Sequence, residues 1–253
     1  MKVLVTGASS GIGRDLAREF AKRNYDLVLV ARNVERLEVL KQELINEYNV
    51  NAEYLSVDLS KRENCIDLHE KVRDIDILVN NAGLGDFGEF SETELTKDFS
   101  IIDTNITSVH VLTKLYLKDM KEKNSGKILN VASIAGFMPG PLMATYYASK
   151  NYIVRLSEAI REELYKAKSN VKISILCPGP VKTNFNNVAN VKFELSSLSS
   201  EYVAKYTVEK LLKDKFYIVP GKMIKTGKFL AKIIPAPLVA KVCYKMQKSK
   251  AGK

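Results

Sequence analysis

Residues 144–150 read A-T-Y-Y-A-S-K, and a tyrosine four places before a lysine is a spacing that could move a proton. On a helix, residues four apart share a face, so Lys150 lies beside Tyr146. Tyr147 is turned about 100° away, and its own i+4 neighbour is the uncharged Asn151. A free phenol titrates near pH ~10, too high for efficient acid–base work at neutrality, and a neighbouring ammonium favours the phenolate. Spacing alone does not choose the site, because Tyr206/Lys210 and Tyr244/Lys248 repeat it. Such a pair on a helix is ordinarily a surface contact. Context separates the three: only Tyr146/Lys150 follows a strand-like run that ends in a serine, N-V-A-S (130–133), and precedes a long helix that feeds another strand. Ser133 and Tyr146 are therefore expected at one edge of a sheet. Tyr146 is the expected proton donor, and Tyr147 is expected to pack or to line the pocket.

A second stretch could hold phosphate. T-G-A-S-S-G-I-G (6–13) follows the first strand-like run directly and opens a helical pattern. Gly7 permits a tight turn, Gly11 a close backbone approach to a pyrophosphate, and Gly13 close helix packing, while the helix start points its N–H groups at the anion. The spacing G-x-x-x-G-x-G departs from the usual G-x-G-x-x-G, so its position after a strand is what carries the reading. After the second strand, a binder of NAD would place an acid against the ribose hydroxyl; here A-R-N (31–33) puts Arg32 there. An arginine suits a 2′-phosphate. The expected cofactor is therefore NADP(H), with Ser9 and Ser10 as helpers; the alternative is that Arg32 is a solvated helix-capping cation.

The elements that must position these residues alternate. Strand-length apolar runs occur at 2–6, 26–31, 52–57, 75–80, 126–132, 171–177 and 216–219, with helical patterns near 11–24, 34–48, 61–72, 92–122, 147–168 and 200–213. Continuous Val/Ile/Leu runs belong to strands buried on both faces. The rhythm predicts an α/β, Rossmann-type doubly wound parallel sheet of about seven strands with helices on both faces. Ligands should then bind at the carboxyl ends of the strands. Residues 1–221 form the expected dinucleotide-binding catalytic domain, and 222–253 a basic amphipathic extension of it. Residues 184–199 are the least regular stretch and predict a loop or lid.

Composition narrows the function. A chain of 253 residues with 46% hydrophobic and 27% charged residues fits a single globular domain, and no apolar run is long enough to span a bilayer. The first residues, M-K-V-L-V-T-G, read as a strand entering a turn rather than a signal peptide. Three separated cysteines (Cys65, Cys177, Cys243) and two histidines (His69, His110) argue against disulfides, a metal site or a Ser-His triad. The setting expected from this is cytoplasmic.

The net charge of +10 comes entirely from ten lysines after Asp214, since the preceding residues are balanced. Nucleic-acid binding is therefore not implied by the overall charge. The tail 227–250 mixes apolar clusters with lysines, and Pro235 and Pro237 are expected to split it into two short helical pieces. It could lie on an anionic membrane surface, with Phe229, Leu230, Ile233, Leu238 and Val242 facing inward. Or it could form an extra helical hairpin that covers the core or a dimer seam. The segments 83–90, 134–143 and 184–199 are expected to line the substrate pocket. They supply Phe87, Phe137, Met138, Leu142, Met143 and Phe185 and few charges, which favours an apolar ketone or aldehyde.

Taken together, T-G-A-S-S-G-I-G, N-N-A-G (80–83), Asn105 in D-T-N-I-T-S-V, Ser133, Y-Y-A-S-K and P-G-P-V-K-T (178–183) resemble the short-chain dehydrogenase/reductase family in order and spacing over roughly residues 1–220. The resemblance implies hydride transfer between a nicotinamide and a carbonyl or alcohol carbon. It implies that Ser133 bonds the substrate oxygen, Tyr146 exchanges its proton, Lys150 binds the nicotinamide ribose and tunes Tyr146, and Asn105 holds a relay water. It further implies cofactor contacts at Gly7, Ser9, Ser10, Gly11, Ile12, Gly13 and Arg32, and at Asp58 and Leu59 near the adenine. Others fall at Asn81, Ala82 and Gly83, and at Pro178, Gly179, Val181 and Thr183 by the carboxamide. A homodimer or homotetramer and a lipid-like carbonyl or alcohol substrate belong to the same implication. A non-enzymatic NADP-sensing or interaction protein on the same fold is the alternative.

Overall fold

The computed structural model describes residues 1–183, 185, 197–221 and 234–251, with side chains described up to residue 248. The strands are β1 (Lys2–Thr6), β2 (Asp26–Ala31), β3 (Ala52–Ser56), β4 (Ile77–Asn80), β5 (Lys127–Val131), β6 (Lys172–Leu176), β7 (Val181–Lys182), β8 (Leu198–Ser199) and β9 (Tyr217–Ile218). Seven of them form one sheet in the order β3-β2-β1-β4-β5-β6-β9, and every pairing in it is parallel. The order reverses between β1 and β4, so the crevice of the doubly wound fold opens there.

Alternation along β1 shows how the two faces are filled. Val3 and Val5 join Leu16, Phe20, Leu27, Leu29, Leu37, Val203 and Val208 in one core layer. Leu4 joins Val28, Leu68, Leu78, Leu112, Tyr116, Ile128 and Ile153 in the other. The first layer lies under α1 (Gly11–Ala21), α2 (Val34–Tyr48) and the Ser200–Leu211 helix; the second lies under α3 (Arg62–Lys71), α5 (Ser108–Glu122) and α6 (Ala144–Lys166). Successive side chains of a strand point to opposite faces, and a strand with helices on both sides must be apolar throughout. This is the uninterrupted pattern read in the sequence.

The edges of the sheet differ from its centre. β3 has only half-buried and exposed residues, and its exposed Glu53 pairs with Lys2 at 3.7 Å. At the other edge β9 contributes only two residues to the ladder with β6.

Three local departures from the sequence expectations have physical causes. The long helix expected over 92–122 is α4 (Leu95–Ile102), a π-turn (Asp103–Thr107) and then α5. A π-turn admits one extra residue, and here it carries the fully buried Asn105. The short ladder β7–β8 and the 3₁₀ turn Ile134–Phe137 are too brief to show as periodicity. Finally, the second expected tail piece does begin at the prolines, but it is longer than expected: a helix runs Ala236–Ala251 with Pro237 inside its first turn, where the missing N–H would lack a helical partner anyway. The other expected piece, with Phe229, Leu230 and Ile233, lies outside the described residues. So does most of the expected loop 184–199.

A polar network crosses the buried side of β4 and β5. Asn80 Nδ2 donates to Thr113 Oγ1 at 3.0 Å and to Asn130 Oδ1 at 2.9 Å, and Asn130 Nδ2 donates to Ser157 Oγ at 3.0 Å. These bonds tie the two strands to α5 and α6 beneath the candidate site. Replacing Asn130 by Leu removes its bonds to Asn80, Ser157 and, at 3.4 Å, the Thr113 hydroxyl in a buried interior. It should lower the unfolding free energy by about 2–3 kcal/mol in urea denaturation.

Candidate active site

The crevice is fastened at its base by one threonine. Thr6 ends β1; its hydroxyl donates to the Val79 carbonyl at 3.2 Å and accepts the N–H groups of Asn81 and Ala82 at 2.9 and 3.0 Å. Asn81 Nδ2 returns bonds to the carbonyls of Thr6 and Gly7 at 2.9 and 3.2 Å. The N-N-A-G segment is thereby locked beside the glycine turn. Asn81 is expected from the sequence in the cofactor wall; its side chain is spent on this lock. Thr6, which makes the lock, carries no signal of its own in the sequence.

Gly7 and Gly11 have φ of +65° and +55°, in the left-handed region that favours glycine. A Cβ on Gly7 would fall 2.9 Å from Ala82 Cα, and one on Gly13 would fall 2.3 Å from the Gly7 carbonyl oxygen. Gly13 thus packs on the turn itself. Ser10 is extended and leaves the first N–H groups of α1 without a side-chain cap, which suits an anion. Gly7, Ser9, Ser10, Gly11, Ile12, Arg32, Asp58, Leu59, Asn81, Ala82 and Gly83 all line one cavity of about 1000 Å³, and so do Pro178, Gly179, Val181 and Thr183. Arg32 is exposed; the residue that caps α2 is Asn33, whose side chain accepts the Arg36 N–H at 2.8 Å. The capping alternative for Arg32 is thereby removed. Asp58 accepts from the Ser60 N–H and hydroxyl at 3.1 and 2.8 Å. Partial burial works against its carboxylate, yet the Ser60 bonds and the charges of Arg32 and Lys61 together hold its pKa below the ordinary value.

The four expected catalytic side chains meet in this cavity or at its wall. Ser133 follows β5 in extended conformation and accepts the Ala135 N–H at 3.2 Å, starting the 3₁₀ turn. Its hydroxyl also acts on the Tyr146 phenol and pulls the pKa of that group down, so its local and functional readings hold together. Lys150 is 5% exposed and donates to the Val131 carbonyl at 2.9 Å. Its Nζ lies 5.8 Å from the centre of the Tyr146 ring. The other two tyrosine–lysine pairs show nearly the same geometry, 5.4 Å for Tyr206/Lys210 and 5.7 Å for Tyr244/Lys248. Burial, which spacing cannot show, is what sets Lys150 apart.

Asn105 is wholly committed through its amide. Oδ1 accepts the Leu84 N–H at 2.8 Å, and Nδ2 donates to the Leu84 carbonyl and to Ser149 Oγ, both at 2.9 Å. Ser149 in turn donates to the Tyr146 carbonyl at 2.7 Å. The π-turn, the Gly83–Leu84 wall and the tyrosine-bearing turn of α6 are thus one hydrogen-bonded unit. Ser149 is not among the residues expected from the sequence, because a serine inside Y-Y-A-S-K has no periodic signal of its own. A Cβ placed on Gly83 would sit 3.3 Å from Asn105 Oδ1 and 3.4 Å from Lys150 Nζ, so the missing side chain leaves a small space between the two.

The protonation states depart from the simple lysine argument. Burial raises the Tyr146 pKa above its ordinary value, with the Ser133 hydroxyl pulling it down. Burial also lowers the pKa of Lys150 to about 8. The expected lowering of the phenol by its lysine does not enter this balance in the protein alone, where desolvation dominates.

The far end of the cavity is closed by the tail. Met138, Met143, Phe185, Leu238, Val239, Val242 and Cys243 line it, and Cys243 and Gln247 are buried. Gln247 Nε2 donates to Tyr147 Oη at 2.8 Å. Of the apolar residues expected here, Met138, Met143 and Phe185 line the cavity. Phe87 packs behind them in the Met143 cluster. Phe137 does not line it, because it points into the sheet core. Leu142, at φ +65°, faces a separate small cleft. The C-terminal helix supplies a further part of the described wall, and only the i, i+4 set Val239, Cys243 and Gln247 could have signalled it.

Known proteins share this fold. The family model for short chain dehydrogenase matches residues 1–192. The chain belongs to the short-chain dehydrogenase/reductase family. It is 33% identical over 202 residues to a very-long-chain 3-oxoacyl-CoA reductase of Anas platyrhynchos, covering 76% of this chain and 63% of that one. It is 35% identical over 210 residues to the 17-beta-hydroxysteroid dehydrogenase type 3 of Homo sapiens, covering 79% and 65%. The chain thus spans just under two thirds of the length of these relatives. Among solved structures, a short-chain dehydrogenase from Sphingobium yanoikuyae in complex with NADPH superposes with a TM-score of 0.82 at 27% identity, over 92% of this chain and 96% of that one. A relative from Burkholderia phymatum in complex with NAD gives 0.81 at 26%, over 90% and 92%.

The lowered pKa of Lys150 has a consequence for stability. Below about 8 the amine is charged in the folded and unfolded chain alike. Between about 8 and the ordinary 10.5 only the unfolded chain keeps that proton, so this group's contribution to stability rises with pH through that window. The stability of the wild type relative to Lys150→Met, measured by denaturation from about pH 7 to about pH 10, should shift in favour of the wild type. A flat difference would count against a buried amine that gives up its proton.

Proposed function

We propose that the chain is an NADPH-dependent oxidoreductase that interconverts a carbonyl and an alcohol on an apolar or lipid-like small molecule. The observation that carries this is Tyr146, with Ser133 and a buried Lys150, on the wall of a cavity that also contains the glycine turn. The turn's left-handed glycines, the uncapped start of α1 and the length of the cavity fit a dinucleotide. Arg32, which caps no helix, supports a 2′-phosphate, with Ser9 and Ser10 beside it. When bound, the nicotinamide supplies the hydride.

The protein's part is polar. Ser133 holds the substrate oxygen, and Tyr146, kept protonated by burial, gives that oxygen its proton in the reducing direction. Lys150 stands beside the ribose side of the cavity, and its charge with that of the oxidised nicotinamide favours the phenolate in the reverse direction. The space at Gly83, between Asn105 Oδ1 and Lys150 Nζ, suits a water that refills the proton on Tyr146. Asp58 and Leu59 stand where the adenine is expected, with Asn81, Ala82 and Gly83 along the cofactor and Pro178, Gly179, Val181 and Thr183 at its nicotinamide end.

The substrate reading rests on the wall of Met138, Met143, Phe185 and Val239. A homo-oligomer is supported by α4, where Leu95, Phe99 and Ile102 are exposed on one face. The setting we infer is cytoplasmic; anionic headgroups would meet the C-terminal helix at its exposed Lys241, Lys245 and Lys248. Among the described residues no helix is long and apolar enough to cross a membrane.

Turnover of a panel of apolar ketones with NADPH tests the activity, and absence of turnover on all of them despite NADPH binding would refute it. Tyr146→Phe should lose at least ~10²-fold in kcat with NADPH affinity, read by fluorescence titration, little changed. Arg32→Ala should reduce the preference for NADPH over NADH by roughly tenfold; an unchanged ratio removes Arg32 from the 2′-phosphate. Gly83→Ala should lower kcat more than it raises the KM for NADPH, since the added methyl occupies the space beside Asn105.

A further inference from the structure

The wall of the cavity beyond Tyr146 holds one polar group that the proton-transfer reading does not use. Tyr147 Oη accepts the Gln247 amide at 2.8 Å. A phenol that accepts a hydrogen bond keeps its own hydrogen to donate, and among the described residues no acceptor takes it. The ring is held firmly. Its centre lies 6.0 Å from that of Tyr146 at an interplanar angle of 77°, and a Cβ on Gly140 would fall 2.0 Å from it. Asn151 Nδ2 fixes the Tyr147 carbonyl at 2.9 Å together with those of Ala135 and Met138. Gln247 is 2% exposed and also lies 3.6 Å from Met143 Sδ, so the hydroxyl it meets cannot swing freely.

We propose that Tyr147, positioned by Gln247, donates a hydrogen bond to a second, uncharged oxygen of the substrate, distinct from the reacting carbonyl. The inference rests on the carbonyl-reductase reading above and narrows its substrate class to apolar ketones that carry a further carbonyl, ester or hydroxyl oxygen. Around the donor the described wall is otherwise apolar, with Met138, Met143, Phe185 and Val239. No lysine, arginine or acid lines that end among the described residues, which favours a neutral acceptor over a carboxylate or phosphate. Burial pushes the Tyr147 pKa up to about 12, so the group stays a donor throughout the working pH range. A site built around a donor rejects the analogue that lacks the acceptor, because the donor is then left unmet in a dry wall.

The test compares nonan-2-one with keto esters of matching length, the ester carbonyl being stepped along the chain from the ketone. Steady-state kinetics with NADPH are measured for the wild type, Tyr147→Phe and Gln247→Leu. The wild type should prefer at least one keto ester over nonan-2-one. On that ester both variants should lose about tenfold in kcat/KM, mainly through KM, while their nonan-2-one kinetics stay within about twofold. Equal losses on both substrates would show a purely structural bond that fastens the tail helix, and would overturn the proposal. So would a wild type that treats ketone and esters alike. A wild type that turns over none of these compounds would remove the carbonyl-reductase reading, and the inference with it.

Discussion

The site depends on one hydroxyl bridging two strand ends. Thr6 closes β1 and, through three hydrogen bonds, holds the chain leaving β4 beside the turn leaving β1. In a parallel sheet the two strands at the reversal of order send their helices to opposite faces, so their carboxyl ends diverge. Without a tie the crevice would be bounded by two independent loops. Thr6 and the returning bonds of Asn81 make it a single rigid floor, and Gly13 can then press on the Gly7 carbonyl because that floor does not move.

A second unit stands on this floor. Asn105 links the wall at Leu84 to Ser149, and Ser149 links onward to the first turn of α6. The π-turn makes this possible by adding a residue to the helix, which rotates α5 relative to α4 and turns the Asn105 amide inward. Tyr146, Ser133 and Lys150 are therefore held from behind by main-chain carbonyls and amides rather than by other charges. That explains the electrostatic balance of the site. With no carboxylate salt bridge to it among the described residues, Lys150 answers chiefly to desolvation, and so does Tyr146.

Much of this is legible in the sequence, for definable reasons. Strand runs buried on two faces have an unmistakable composition, and β1, β2 and α2 fall on the residues expected of them. Tyr146 and Lys150 are legible because helical spacing and the preceding serine-ended strand act together. The illegible parts depend on tertiary contact. The break of 92–122 into two helices arises where Asn105 finds partners, and nothing in the local pattern of D-T-N-I-T announces it. In the tail the helix begins one residue before Pro237 rather than after it, since a proline's effect depends on whether it falls inside a helix or at its start. The burial of Cys243 and Gln247 needs the cavity they close, and the direction of the Tyr146 pKa needs the dry wall around it.

The unequal edges of the sheet bear on how copies of this chain can meet. An open strand edge is a template for another strand, and proteins that join there risk growing without limit. At one edge, β3 carries the charged Glu53 facing Lys2. At the other, β9 offers a ladder of two residues, too short to seat a neighbouring strand in a fixed register. Continuation of the sheet from one molecule into the next is therefore disfavoured at both margins. Contacts between copies fall instead to helix surfaces, where packing is side chain against side chain and a symmetric, self-limiting arrangement can close.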